Sequence, residues 1–84
     1  MARPAARRPR AVHSDRYRDM LRRLREARLA AGLTQVQVAA ALGTTQAFVS
    51  KCELGERRID PIDLADFARL YKRPLSYFVT NFPG

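Results

Sequence analysis

The spacing of apolar residues along the chain predicts short helices rather than strands. The first stripe has intervals of four, three, four and three residues and consists of Tyr17, Leu21, Leu24, Arg28 and Ala31. Such intervals place side chains on one face of a helix. Ser14 or Asp15 can cap the start of this helix, and Gly32 followed by Leu33 is typical of a left-handed stop at its end.

The next stretch predicts two short helices joined by a turn. Thr34 with Gln37 three residues later has the pattern of a capping box, which begins the second helix. Gly43 ends that helix, Thr45 caps the third helix, and Gly55 ends it. The residues at inward spacing are Val38, Ala39, Leu42, Val49 and Cys52. Two short helices with such a turn are typical of a helix-turn-helix, whose second helix reads the major groove of DNA.

Two further helices follow a charged loop. Asp60 followed by Pro61 has the pattern of a helix start. Proline is favoured at the first helical position because the amide hydrogen that it lacks would have no partner within the helix. The inward residues of this fourth helix are expected to be Leu64, Phe67, Ala68 and Tyr71. Pro74 then opens a last short turn of helix, with Leu75 and Phe78 as the expected core contacts. The sequence therefore predicts an all-α, five-helix fold.

The distribution of charge indicates a kind of partner. The chain carries 16 lysine and arginine residues against 8 acidic ones, a formal net charge of +8. This excess favours a polyanionic partner, with nucleic acid ahead of a membrane surface. Residues 1–31 hold ten arginines, whereas residues 32–54 carry only Lys51 and Glu53. Charge therefore flanks the helix-turn-helix, as expected if phosphate contacts position the protein and base edges specify the sequence.

The composition disfavours several other classes of protein. No run of about 18 apolar residues is present, so we expect no membrane span and a cytoplasmic location. The single Cys52 excludes an internal disulfide and a cysteine-rich metal site. His13 and Cys52 are poorly placed to form a nucleophile–base pair. We therefore expect no catalytic residue, no metal and no cofactor, and predict that the protein is not an enzyme.

Residues 1–13 differ in composition from the rest of the chain. They contain two prolines and four arginines with no apolar partner in reach, so we expect a disordered basic arm. Two interpretations of the arm stand. It lies along the phosphate backbone or in a minor groove, or it is a leader with only non-specific attraction to DNA. The helix-turn-helix domain is then expected to span residues 14–84.

From about Arg25 to Val79 the sequence resembles the lambda-repressor-like, Cro/XRE-type helix-turn-helix family. The matching segments, in order, are ARLAAGLTQ, VAAALGTTQ, FVSKCELGERR and LADFARLYKRPLSYF. Their order and spacing make the resemblance more specific than any single motif. The resemblance implies a compact five-helix fold that binds double-stranded operator DNA, usually as a homodimer on a near-palindromic site. It also implies a bacterial or phage-encoded transcriptional regulator acting at the nucleoid.

Under this resemblance, the third predicted helix carries the residues that read bases. Gln46 is its first residue, and its amide can pair with N6 and N7 of one adenine, a contact worth about 1–3 kcal/mol against a wrong base. Ala47 and Ser50 would face the groove floor, where Ala47 can touch a thymine methyl and Ser50 can donate to either base type. Lys51 can reach either a guanine or a phosphate.

A second set of residues is expected to contact the DNA backbone. The resemblance implies that Gln35, at the start of the second helix, touches a phosphate and braces Gln46; the alternative is a simply exposed residue. Thr45 can cap the third helix and also approach a phosphate. Phe48 has two interpretations, core packing or contact with a sugar or thymine. The remaining candidates, in a loop that could instead be simply solvated, are Arg57 and Arg58.

Arg28 and Glu53 both fall on inward-facing stripes of their helices. The resemblance places a paired arginine and glutamate at these positions. A lone buried charge is very unfavourable, whereas a hydrogen-bonded pair is tolerated. We therefore expect a structural ion pair that joins the first helix to the end of the recognition helix and fixes its angle.

Protein–protein contacts are expected at the C-terminal end of the chain. Several apolar residues crowd this short segment, which makes it the candidate dimer surface. The candidates are Tyr77, Phe78, Val79 and Phe82. The alternative is that these side chains close the core of one protomer. The alternative function is an antitoxin-type module, which neutralises a partner protein and also binds its own promoter.

Overall fold

The computed structural model describes residues 14–79, and this part of the chain folds into five helices with no strand. In chain order they are α1 (Asp15–Ala30), α2 (Gln35–Leu42), α3 (Gln46–Leu54), α4 (Pro61–Tyr71) and α5 (Leu75–Phe78). The predicted all-α, five-helix fold is confirmed. None of these helices is both long enough and apolar enough to cross a membrane. The predicted arm, residues 1–13, lies outside the described residues.

The first helix, α1, has a capped start and one buried face. The Ser14 side chain accepts a hydrogen bond from the amide of Tyr17 at 3.0 Å, and Asp15 in the first turn complements the helix dipole. The buried residues of α1 are Met20, Leu21, Leu24, Ala27 and Arg28. Ala31, predicted on the same face, is exposed because the helix ends one residue earlier and the chain turns away at Gly32.

Local sequence signals set the ends of α2 and α3. In the predicted capping box, Thr34 Oγ1 accepts from the Gln37 amide at 3.1 Å and Gln37 Oε1 accepts from the Thr34 amide at 2.9 Å. Gly43 (φ 70°) and Gly55 (φ 79°) end the two helices in the left-handed conformation, which suits glycine. A Cβ at Gly55 would lie 3.1 Å from Leu21 Cδ1, so this stop also lets α3 approach α1 closely.

Every helix contributes to the core. The largest fully buried side chains are Leu24, Val38, Val49, Cys52, Phe67 and Phe78. Phe67 and Tyr71 stack with their ring centroids 6.0 Å apart, which packs α4 along its own inner face. Leu75, predicted as a core contact, is 50% exposed. That prediction was wrong because the four-residue α5 directs only Phe78 fully into the core.

Two hydrogen bonds between distant residues hold the later segments to α1. The Tyr17 hydroxyl accepts from the Ile59 amide at 2.8 Å, which ties the loop after α3 to α1. Arg23 Nη1 donates to the Tyr77 carbonyl at 3.2 Å, which ties α5 to the same helix. The first bond fixes the position of that loop beside the C-terminal end of α3.

Candidate nucleic-acid interface

The recognition helix α3 presents a small outward face. Thr45 begins the helix, and its hydroxyl accepts a hydrogen bond from the Phe48 amide at 3.1 Å. The inner face carries Val49 and Cys52, which are fully buried. The exposed or half-buried residues of the outward face are Gln46, Ala47, Ser50 and Lys51. Their spacing places them side by side on one face of the helix, and these are the residues predicted for base readout.

The first side chain of α2 reaches the first side chain of α3. Gln46 Nε2 donates a hydrogen bond to Gln35 Oε1, with 2.7 Å between the two atoms. Gln35 is half-buried and Gln46 is exposed. The structure therefore brings together the two glutamines that the sequence analysis paired.

Glu53 connects three parts of the fold. Arg28 Nε donates to Glu53 Oε2 at 2.6 Å, and Arg28 Nη2 donates to Glu53 Oε1 at 3.1 Å. Arg28 Nη1 also donates to the Leu33 carbonyl at 3.0 Å. The Arg28 and Glu53 side chains are only 9% and 4% exposed. An arginine–carboxylate pair with two hydrogen bonds restricts orientation as well as distance, so it holds α3 at one angle to α1.

The electrostatics of this pair are consistent with two charged groups. Hydrogen bonding to Glu53 raises the pKa of Arg28, and burial opposes that rise.

Glu53 Oε1 accepts one more hydrogen bond, from Gln35 Nε2 at 3.0 Å. Sequence reasoning missed this contact, since no spacing rule links an amide at the start of α2 to a carboxylate 18 positions later. The ion pair is thus connected to the outward face of α3.

The loop after α3 carries two exposed arginines. Arg57 Cζ lies 4.7 Å from the centroid of the Phe48 ring, within the range of a cation–π contact. Phe48 is half-buried and packs against the core, so core packing is the interpretation of Phe48 that the geometry favours. Arg57 and Arg58 form no ion pair with other residues in the described range 14–79. Their charge is therefore available to an external anion.

Many arginines of α1 are paired within the helix. The pairs are Arg18 with Asp15, Arg22 with Asp19 and Glu26, and Arg23 with Asp19. Hydrogen bonds from Arg23 and Arg22 lower the pKa of Asp19, so this carboxylate stays ionised near neutral pH. The surface of α1 is consequently less positive than its arginine count indicates.

The candidate dimer residues lie in different environments. Phe78 is 1% exposed and closes the core of the protomer, so the expectation that it forms part of a dimer surface is corrected. Tyr77 is half-buried with two guanidinium groups near its ring, Arg23 Cζ at 5.7 Å and Arg73 Cζ at 4.7 Å from the centroid. Val79 is half-buried against the core. The fourth candidate, Phe82, lies outside the described residues.

Two buried groups have perturbed protonation. Burial raises the pKa of the Cys52 thiol to about 11, so Cys52 is a small buried hydrophobe in its neutral form at physiological pH. The Tyr71 hydroxyl is buried without a hydrogen-bond partner among the described residues, and burial also raises the pKa of Tyr71. Over residues 14–79, no three His, Cys, Asp or Glu side chains are grouped so that they could hold a metal ion.

Comparison with known protein families identifies the family to which this chain belongs. A family model described as a helix-turn-helix domain matches residues 19–76, which is more than half of the 84-residue chain. The match includes all of α2, α3 and α4. A search of the curated proteins found no significant match. The chain therefore belongs to the helix-turn-helix domain family, and its five-helix fold is consistent with the Cro/XRE type.

Proposed function

We propose that this protein is a transcriptional regulator that binds double-stranded DNA sequence-specifically, with α3 in the major groove. Membership of the helix-turn-helix family supports DNA binding in general. The observation that carries the finer proposal is the exposed outward face of α3, which the buried Arg28–Glu53 pair holds at a fixed angle. A helix of this kind suits direct readout, because the major groove of DNA admits an α-helix whose side chains reach the base edges.

The outward face of α3 offers distinct chemistry to the groove. Gln46 offers a paired donor and acceptor, which matches N7 and N6 of adenine. Ala47 offers a methyl group to a thymine methyl, and Ser50 offers a hydroxyl that suits several bases. Lys51 is exposed one turn further along the helix, where it reaches a guanine or a phosphate. We assign base readout to these four side chains.

Contacts with the DNA backbone come from residues that surround this face. Arg57 and Arg58 follow the C-terminal end of α3 and are exposed. Because Arg57 also lies over the Phe48 ring, its guanidinium is positioned next to the recognition helix. We assign phosphate contacts to both arginines, and further backbone contacts to Thr45 and Gln35 at the N-terminal ends of α3 and α2. These contacts supply affinity that depends little on sequence.

We further propose that the protein binds a near-palindromic operator as a homodimer. Support comes from apolar side chains at the α4–α5 end of the fold, where Ile62 is 70% and Leu75 is 50% exposed. An apolar hollow beside them is lined by Pro61, Leu64, Leu75, Ser76 and Val79. Two copies that meet there would each cover the other's hollow, the self-complementary arrangement of a two-fold dimer. Val79 lines this hollow, and we include its near neighbour in sequence, Tyr77, in the proposed surface, whereas Phe78 is buried and takes no part.

The same apolar hollow also supports a second candidate function, the binding of a partner protein. A partner protein seated there would make the chain an antitoxin-type module that also binds its own promoter. Co-purification of a small protein in fixed stoichiometry would favour this alternative over a homodimer.

In either case we place the protein in the cytoplasm of a bacterial or phage-infected cell, where it has access to DNA. Helix-turn-helix domains of this kind are typically not enzymes, and we propose no enzymatic role.

Selection of binding sites from random double-stranded DNA tests this proposal. The expected result is a consensus of two related half-sites, about one helical turn apart from centre to centre. At physiological salt, the selected site should bind about 10³-fold or more tightly than scrambled DNA of the same length. Equal affinity for the selected and scrambled sequences would contradict sequence-specific binding.

A further inference from the structure

An open cleft with an apolar floor lies between α1 and the C-terminal end of α3. Its volume is about 590 Å³, and its floor consists of Leu21, Leu29, Leu54 and Gly55. Leu29 is 56% exposed and Leu54 is 67% exposed. The cleft, called the α1–α3 cleft below, therefore leaves two large apolar side chains in contact with water.

Arginines form the rim of the α1–α3 cleft on the α1 side. They share one stripe of the helix with a floor residue, at intervals of four, three and four, and the stripe consists of Arg18, Arg22, Arg25 and Leu29. Arg25 is exposed and forms no ion pair with another residue in the range 14–79. Arg18 pairs with Asp15 at 3.2 Å, but both side chains are exposed. Because exposed pairs are weak, Arg18 can exchange Asp15 for another carboxylate.

Two glutamates also line the α1–α3 cleft, and each already has an arginine partner. Glu26 pairs with Arg22 at 3.2 Å. Glu53 is buried in its pair with Arg28. The charge that remains for a ligand is consequently positive, and it comes from Arg25 and Arg18.

An apolar floor beside a basic rim matches one kind of occupant, an amphipathic segment with acidic residues along its polar edge. Such a segment buries apolar anchors in a groove and places its charges opposite those of the rim. A DNA backbone carries the charge but offers little apolar surface to cover Leu29 and Leu54. A two-fold contact between copies of this chain would bring the same arginines together. A partner protein with an acidic segment fits both features of the cleft.

The α1–α3 cleft adjoins the face of α3 that we assign to base readout. Leu54 lies four residues after Ser50 and three after Lys51, so it continues the outward face of the helix. A segment that covers Leu54 would lie against these side chains, and its carboxylates would repel DNA phosphates.

We propose that the α1–α3 cleft binds an acidic, amphipathic segment of a partner protein, and that this segment and DNA exclude each other. The exclusion rests on the proposed function, because it assumes that the outward face of α3 meets DNA. The binding of the segment makes no such assumption. The cleft thus gives a partner protein a means of releasing this chain from DNA.

Selection from random peptides tests the binding of the segment. The full chain, without DNA, is used to select from a displayed library of peptides about four helical turns long. We expect the enriched peptides to carry several Asp or Glu residues and apolar residues at intervals of three and four. Synthetic copies of these peptides should bind the wild type, and Leu29→Asp and Arg25→Glu should each weaken that binding about tenfold or more.

Two matched variants control for the added negative charge. Val36→Asp makes the same change at an exposed apolar residue of α2 that does not line the cleft. Arg69→Glu makes the same reversal at an exposed arginine of α4. Both should bind the peptides far better than the two cleft variants do. Thermal unfolding of all four variants shows that each retains the fold.

The exclusion is measured by adding the strongest peptide to the protein bound to its selected operator. We expect the peptide to displace the operator from the wild type, and to displace it much less readily from Leu29→Asp. A ternary complex of protein, peptide and operator would overturn the exclusion. If no operator can be selected, the proposed function fails, while peptide binding still tests the cleft separately.

Three results would overturn the assignment of the cleft to a partner protein. One is the absence of any enriched acidic peptide, or peptides that bind Leu29→Asp as tightly as the wild type. Another is weaker operator binding by Leu29→Asp and Arg25→Glu without peptide binding to the wild type, which would assign the cleft to DNA. The third is a lower molar mass of Leu29→Asp in sedimentation, which would assign the cleft to a second copy of the chain.

Discussion

Arg28 and Glu53 join α1 to the last turn of α3 through two hydrogen bonds, 2.6 Å from Nε to Oε2 and 3.1 Å from Nη2 to Oε1. Both side chains are nearly fully buried, so each charge depends on the other for compensation. Such a pair contributes more to the geometry of a fold than to its net stability, because desolvation offsets most of the attraction between the charges. The angle of the recognition helix is what this pair determines.

Removal of one member of the pair should be much more harmful than removal of both. We expect Arg28→Met to destabilise the fold by about 3–5 kcal/mol, because it leaves the Glu53 carboxylate buried and uncompensated. The double variant Arg28→Met/Glu53→Leu should lose far less, since neither buried charge remains. Urea unfolding of the wild type, both single variants and the double variant gives the coupling energy. A double variant that loses as much as the two single variants combined would show that the residues act independently.

Arg57 should contribute to affinity without contributing to sequence preference. We expect Arg57→Ala to weaken binding to all DNA sequences alike and to reduce the slope of log K against log salt by about one unit, since one phosphate contact is lost. Arg69→Ala is the matched control, because this arginine is 84% exposed on α4 and lies 3.7 Å from Asp66. Titrations at several salt concentrations should show an unchanged slope for the control. Equal slopes for all three proteins would exclude a phosphate contact by Arg57.

Two tyrosine hydroxyls should have opposite effects on stability. The Tyr71 hydroxyl is buried and unpaired among the described residues, so Tyr71→Phe removes a desolvated polar group and should stabilise the fold by about 1 kcal/mol. The Tyr17 hydroxyl accepts from the Ile59 amide at 2.8 Å, so Tyr17→Phe should destabilise the fold by about 1 kcal/mol. Thermal unfolding of the two variants beside the wild type measures both signs. A loss of stability in Tyr71→Phe would mean that its hydroxyl has a partner.

Cys52 should contribute a fall in stability at alkaline pH. Burial raises the pKa of its thiol from 9.0 to about 11, so the unfolded chain loses this proton before the folded protein does. The contribution is therefore fully present below about pH 9 and is lost progressively as the pH rises to about 11, by an amount on the order of 2 kcal/mol. Unfolding free energies of the wild type and Cys52→Ala, compared from pH 7 to pH 11, isolate this effect. Tyr71 is present in both proteins, so its own contribution cancels in this comparison. Stability curves of the two proteins that stay parallel from pH 7 to pH 11 would contradict the assignment of the effect to Cys52.

The ends of the helices were the most predictable part of this fold. The capping box of Thr34 and Gln37 and the stops at Gly43 and Gly55 act over three or four residues, so the local sequence determines them. The residue that ends α4 in the left-handed conformation is Lys72 (φ 59°). Its residue type did not predict this conformation, because glycine is the residue that usually adopts it. There the amide of Arg73 bonds back to the Ala68 carbonyl at 3.0 Å, which supports the turn despite the lysine side chain.

Contacts between distant residues were harder to predict. Arg23 lies off the apolar stripe of α1, yet it donates to the Tyr77 carbonyl 54 positions later. A helical stripe shows which way a side chain faces, but it does not show which backbone carbonyl a long side chain will reach. The bond from Gln35 to Glu53 was missed for the same reason. The exposed position of Leu75 depended on the length of α5, which ends after a single turn.

We propose that sequence preference and general affinity reside in different residues of this protein. The direct test is the affinity of the wild type, Gln46→Ala and Arg57→Ala for the selected operator and for random DNA at physiological salt. We predict that Gln46→Ala weakens operator binding about 5- to 150-fold and leaves random-DNA binding unchanged, since only a base contact is lost. Arg57→Ala should weaken both by the same factor. Equal losses on both DNAs in Gln46→Ala would show that Gln46 does not read a base.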